Sequence, residues 1–260
     1  MIAAWGAAAR TGSLSQPPCA VAWATALAAD ATPPLLVYTD ASFWWRTTRS
    51  HNDTCGVRTR RQPRGGLGAV VYDPVDGSAR YALGEPAWHE LLAFWSPDYK
   101  TYIAQLEVLA AISAYFTYPE LFVGRRVQHF IDNTVALSAL VHGYSGKADL
   151  AKMVNAFFLQ MAGLRASVYC DYVPSKANIA DLPSRGALRE LCRVLRRLGM
   201  LSAAVRVAAS FPPLSSWHAP AREWLRMSAP ALSAETPRGA KSRKKAGSDR
   251  DATRRVRSRR

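Results

Sequence analysis

None of the four cysteines, Cys19, Cys55, Cys170 and Cys192, belongs to a CxxC or CxxH pair. Their scatter argues against a zinc site and against a disulfide framework, and points to reduced thiols in an intracellular protein. No apolar run reaches the ~18 residues needed to span a bilayer, so no membrane partner is expected. The five histidines show no ligand spacing, and no internal repeat is visible. Acid is also scarce: 19 Asp and Glu stand against 34 Lys and Arg, a net charge of +15. The base is clustered, which favours a polyanionic partner over an evenly solvated surface.

What is present is enough for one globular domain with extensions. The chain has 260 residues, of which 49% are apolar. Residues 1–33 form an Ala-rich N-terminal extension, expected to be disordered and closed by Pro33 and Pro34. A folded domain is expected over 34–200. Within it, 45–66 is an arginine-rich insertion with almost no large apolar residues, read as a loop. Residues 201–260 are Ala/Pro/Ser-rich and then basic, expected to be disordered. The last twenty hold ten Lys or Arg against two Asp, a net of +8, a self-repelling block compatible with nuclear import or non-specific binding.

Inside the domain, "LLVYTDAS", "LGAVVYD" and "SARYAL" read as strands. "WHELLAFW" fits a strand or a short helix. Residues 101–116 turn helical before Pro119. "RVQHFI" is a strand running into Asp132. "NTVALSALV" is a short helix, with Asn133 as cap and Gly143 as stop. Residues 147–164 form a longer amphipathic helix, "ASVYCDYV" the last strand, and 187–198 a final helix stopped by Gly199. This order gives an α/β layer with one sheet and helices packed on it.

Four carboxylates stand out. Asp40 and Asp132 each close an apolar strand, where a charge is costly unless paired, solvated or metal-bound. Ligands gather at the carboxyl ends of strands in α/β sheets. Glu107 shares a helix face with Ile103, Ala110, Ala111 and Ala114, a small-residue surface able to lie close on a sheet; Glu90 is its rival. Asp181 sits in "NIAD", at the start of a helix or as its cap.

"YTDAS", "QLEVLAAISA", "FIDNTVALSAL" and "YVPSKANIADLPSRG" occur in the order found in the ribonuclease H domain of reverse transcriptases. Over roughly residues 35–198 the chain most resembles the hepadnavirus and tyrosine-recombinase retrotransposon types. The resemblance implies a ribonuclease H-like fold, with a mixed five-stranded sheet and helices on both faces. It implies Asp40, Glu107, Asp132 and Asp181 as the catalytic and metal-binding set. The implied cofactor is two Mg²⁺ ions, for which Mn²⁺ can substitute, roughly 3.5–4 Å apart. The implied substrate is the RNA strand of an RNA–DNA hybrid, and the implied partner a polymerase domain of a parent polyprotein.

The chain departs from the pattern in several ways, one being the wide separation of Asp40 and Glu107 by the arginine-rich insertion. The loop "VPSKAN" lacks the His that cellular members often carry before the last Asp. The segment between Asp132 and Asp181 is too short for a basic handle helix. No YxDD polymerase motif is present. Substrate contacts are expected instead from Arg58, Arg60, Arg61 and Arg64 of the insertion, where Arg46 and Arg49 also lie, and from Ser42, Asn133 and Arg185. The alternative function is a nucleic-acid-binding protein that keeps the fold but has lost catalysis. A proofreading-type exonuclease is disfavoured because Ser42 stands where a Glu is needed, and an integrase because Glu comes second of the acids.

Overall fold

The computed structural model describes residues 32–52, 56–95 and 99–213, with the side chains of 48–61 outside that description. Eight strands are seen among these residues: β1 (Leu35–Ala41), β2 (Trp44–Asn52), β3 (Gly56–Arg64), β4 (Leu67–Asp73), β5 (Ser78–Gly84), β6 (Arg126–Ile131), β7 (Ser167–Tyr172) and β8 (Ala204–Ala208). Six form one sheet in the order β7-β6-β1-β4-β5-β8. Strand β4 runs antiparallel to both its neighbours, while the β1–β6, β6–β7 and β5–β8 pairs are parallel.

The helices are α1 (Trp88–Phe94), α2 (Ile103–Thr117), α3 (Pro119–Phe122), α4 (Thr134–His142), α5 (Ala148–Leu164), α6 (Asp181–Ser184) and α7 (Leu188–Arg197). Helix α2 packs on β1 and β4 and is itself covered by α5 and α4. That sandwiching explains its sequence, which is apolar nearly all round: Leu106, Leu109, Ile112 and Tyr115 are all buried. Each such side chain contributes roughly 1.5–3 kcal/mol on burial. The opposite sheet face carries a smaller core, Val70 and Ala79 against Leu191 and Leu195 of α7. The mixed sheet with helices on both faces is therefore as expected.

Local chemistry fixes several boundaries. Asn133 caps α4, its side chain accepting from the backbone N–H of Val135 and Ala136. Such a cap contributes about 1 kcal/mol. Gly143 ends the same helix in the left-handed conformation (φ 73°), which glycine adopts without a Cβ penalty. The "WHELLAFW" segment resolves as a helix because Trp88 and Leu91, three apart, are both buried.

Two expectations are corrected. The sheet has six strands, not five. The sixth, β8, lies past residue 200, in the segment read as a tail, and pairs in parallel with β5 from Ala79–Ala204 to Leu83–Ala208. Its two valines gave too short an alternation to stand out, and the strand exists because an open edge of the sheet accepts its backbone. The arginine-rich insertion is not a loop: β2 and β3 pair antiparallel over nine residues each. Its ladder is made by backbone groups, so it does not show the apolar alternation by which a strand is recognised in sequence. The N-terminal extension, apart from residues 32 and 33, and the basic end from 214 onward lie outside the described residues.

Candidate metal centre

Strands β1 and β6 are parallel neighbours, with Tyr38 level with Phe130. Two residues further on, the same register brings Asp40 level with Asp132. Both carboxylates thus emerge at the same end of the sheet. Helix α2 crosses this end and supplies Glu107 from its second turn. One carboxylate oxygen from each of Asp40, Glu107 and Asp132 lies within 4.8 Å of the others. Three residues distant in sequence are joined because three separate elements end or cross at one point.

Asp181 is not part of this tight set. It opens α6 and lines the same cavity of about 460 Å³, but its carboxylate accepts from the Arg185 Nε at 2.6 Å. Its charge is still felt by the buried acids. Burial pushes the Asp40 carboxyl up to about 7, helped by Asp132 and Asp181 and opposed by a hydrogen bond from Ser184 and by Arg185. Burial also drives Glu107 well above the usual carboxylate range, reinforced by Asp40 and Asp132, while the Ala41 N–H pulls the other way. The Glu107 Oε2 is buried and has no hydrogen-bond partner among the described residues.

These features fit a hard divalent cation. The donors are all oxygens, they carry like charge, and a bare buried carboxylate oxygen faces no protein donor. A bound cation would offset both the burial and the mutual repulsion that raise the protonation range of Asp40 and Glu107.

The site is braced by residues outside the acid set. Ser184 Oγ donates to Asp40 Oδ2. Asn178 is buried; its amide donates to the Thr39 carbonyl at 2.9 Å, and its Oδ1 accepts from the Ala180 N–H at 3.1 Å. Both lie in the "NIADLPS" segment, so that segment is clamped onto β1 at the residue before Asp40 and at Asp40 itself. The clamp needs close approach. A Cβ at Gly66 would meet the Ser184 carbonyl oxygen at 2.1 Å, and one at Gly68 would meet Ala180 O and Ser184 N at 2.5 Å. The "GGLG" sequence, next to a strand and facing this motif, was the available signal for a packed backbone.

The expected substrate contacts divide. Ser42 is committed inside the protein: its hydroxyl accepts from Gly66 N and donates to Ser184 O, both at 2.9 Å. It thereby ties β1 to the Gly66 and Ser184 backbone, and it also lines the cavity with the acids. Asn133 and Arg185 line the cavity with the acids, although Asn133 Oδ1 is occupied by its cap. Arg64 lies at the end of β3 and pairs with Glu85 at 3.0 Å. The side chains of Arg58, Arg60 and Arg61 fall outside the described residues. Glu90 does not line this cavity and is exposed on α1.

No protein-family model matches the chain, and no curated protein matches its sequence. Among solved structures, it is similar to an N-terminal RNase H domain from Mycobacterium tuberculosis, solved as a fusion with maltose-binding protein. That match has a TM-score of 0.36 and 13% identity, and covers 62% of this chain and 96% of the other. It is also similar to RNase H1 of the halophilic archaeon Halobacterium salinarum, with a TM-score of 0.35 and 14% identity over 60% and 98% of the respective chains.

Proposed function

We propose that the chain is a divalent-metal-dependent endonuclease that hydrolyses the RNA strand of RNA–DNA hybrids. The observation that carries this reading is the convergence of Asp40, Glu107 and Asp132 within 4.8 Å at the end of a mixed sheet, one Glu107 oxygen lacking any protein donor. Mg²⁺, with Mn²⁺ as substitute, suits an all-oxygen site that leaves room for waters and phosphate oxygens. A bound divalent ion supplies charge stabilisation at the phosphate and a more acidic water. The chain's own residues do the rest. Asp40, Glu107 and Asp132 hold the cation charge at the sheet end. Ser184 holds the Asp40 carboxylate and Asn178 the Thr39 carbonyl just before it. Asp181 adds a fourth negative charge at the cavity wall, from which it can join the set when Arg185 turns to a phosphate.

The motif order supports an origin in, or a place within, a retroelement reverse transcriptase, with a polymerase domain as partner in a parent polyprotein. The net charge of +15 and the arginines of the hairpin supply sequence-independent attraction to phosphates. No described helix is long and apolar enough to cross a membrane.

The reading is tested with labelled RNA–DNA hybrid, double-stranded RNA and double-stranded DNA, in Mg²⁺ and in EDTA, beside Asp132→Asn. The expected result is Mg²⁺-dependent cutting of the hybrid's RNA strand, lowered at least about 100-fold in the variant, as for loss of a key transition-state charge. Cutting that Asp132→Asn leaves intact refutes the site. A protein that binds hybrid but never cuts it has kept the fold and lost the chemistry.

A further inference from the structure

Beside the carboxylate cavity lies a larger one, of about 730 Å³, at the foot of the β2–β3 hairpin. Trp44, Arg46, Arg64, Glu85, Ser184 and Gly186 are among the residues that line it. Its size is within the roughly 300–1,000 Å³ of small-molecule sites. Trp44 lines both cavities, and Ser184, which bonds Asp40, lines this one. The two spaces are therefore neighbours along one path.

The hairpin's two tryptophans are used differently. Trp45 is anchored: its ring meets Phe43 edge-on and its Nε1 donates to the Lys100 carbonyl at 3.3 Å. Trp44 is 52% exposed and has neither a ring partner nor a hydrogen bond among the described residues. Directly across the ladder from it is Arg64, whose Nη1 is paired with Glu85 while its Nε is buried without a partner among the described residues. Arg46, two residues along the same strand, has no ion pair among the described residues. An exposed indole flanked by guanidinium groups matches the way single strands are held, with bases stacked on aromatic faces and phosphates met by cations. A base inside a duplex has both faces covered by its neighbours; an unpaired or terminal base does not.

We propose that this cavity is a subsite for an unpaired nucleotide of the strand that leaves the carboxylate cavity, with Trp44 stacking its base and Arg46 and Arg64 meeting its phosphates. The proposal rests on the nuclease reading and narrows its substrate: the preferred target is a hybrid bordered by a single-stranded flank.

The test measures binding of the full chain in EDTA by fluorescence anisotropy. The probes are a blunt RNA–DNA hybrid and the same hybrid with a short unpaired RNA extension at one end or the other. Stacking of one base predicts about tenfold tighter binding of an extended hybrid. Trp44→Ala abolishes that advantage and Trp44→Phe keeps part of it, with the unfolding midpoint of each variant measured as a folding control. If neither extension improves binding, or if Trp44→Ala keeps the advantage, the subsite is overturned. Cleavage of the blunt and the extended hybrids in Mg²⁺ is scored separately. Its absence removes the nuclease reading, whereas a Trp44-dependent advantage in EDTA bears on the subsite alone.

Discussion

Asp40 shows how one residue carries both a cost and a use. Its carboxyl is buried beside Glu107 and Asp132, and its protonation range rises to about 7. The folded, metal-free protein then holds this proton more tightly than the unfolded chain, so stability falls as pH rises from about 4 to about 7. Removing one of the charges relieves the crowding. Asp132→Asn is expected to raise the metal-free melting temperature by ~2–4 °C, equivalent to about 1 kcal/mol for a domain of this size. Millimolar Mg²⁺ should raise the melting temperature of the native protein and not that of the variant. A native protein indifferent to Mg²⁺ in thermal denaturation would count against the metal site.

His129 acts in the opposite sense. It is fully buried, with Nε2 against Thr39 Oγ1 at 2.8 Å and Nδ1 against the Tyr115 hydroxyl at 3.1 Å. Burial pushes its pKa down to about 3. The unfolded chain takes up the proton first, so this residue's contribution is full above about 6.5 and is lost as pH falls toward 3. Its window overlaps that of Asp40 with the reverse sign, so the pH profile of the native protein mixes the two. Urea unfolding of His129→Gln across about pH 4–6 should separate them. The slope of stability against pH is expected to fall by about 1.4 kcal/mol per pH unit relative to the native protein; an unchanged slope would show that the buried ring does not titrate on unfolding.

At the scale of elements, the site depends on how closely α6 approaches β4. Gly68 lies directly across the ladder from Asp40, and a Cβ there would strike two backbone atoms of the α6 segment. Backbone cannot give way as a side-chain tip can. Gly68→Ala is expected to cost ~1–3 kcal/mol and to lower hybrid cleavage, because Ser184 and Asp181 move with α6. Gly77→Ala is the control: its φ is +70° but nothing lies within 4 Å of the added carbon, so it should cost stability alone. Equal cleavage by both variants would show that the clamp does not set the site.

Over the whole molecule, charge separates into a compact acidic site and a broadly basic remainder. The basic part includes the hairpin, where Arg58, Arg60, Arg61 and Arg64 occupy β3. If these arginines meet phosphates, replacing all four with Glu should lower hybrid affinity. It should also reduce the slope of log affinity against log salt, by up to about 0.9 for each duplex phosphate no longer neutralised. An unchanged salt slope would leave the hairpin without a part in binding.

Much of this was readable from local pattern. The β1, β4, β5 and β6 runs, the α4 cap at Asn133 and its stop at Gly143 follow from side-chain periodicity and from backbone preferences that act within a few residues. The four acids were identifiable because strand ends and motif order single them out. Other features were not local. The hairpin's pairing depends on cross-strand hydrogen bonds that composition does not encode, and β8 exists only because β5 offers it an edge. Which acids touch was also beyond the sequence. The parallel β1–β6 register and the crossing of α2 unite Asp40, Asp132 and Glu107, while Asp181 stands outside that group and pairs with Arg185. The internal bonds of Ser42 to Gly66 and Ser184 were likewise invisible along the chain, because they join residues 24 and 142 positions apart. Sequence alone determined the candidate chemistry, since residue type and order are one-dimensional properties. Tertiary structure decided which atoms meet, because that depends on the packing of segments up to 144 residues apart, the separation of the hydrogen-bonded Asp40 and Ser184.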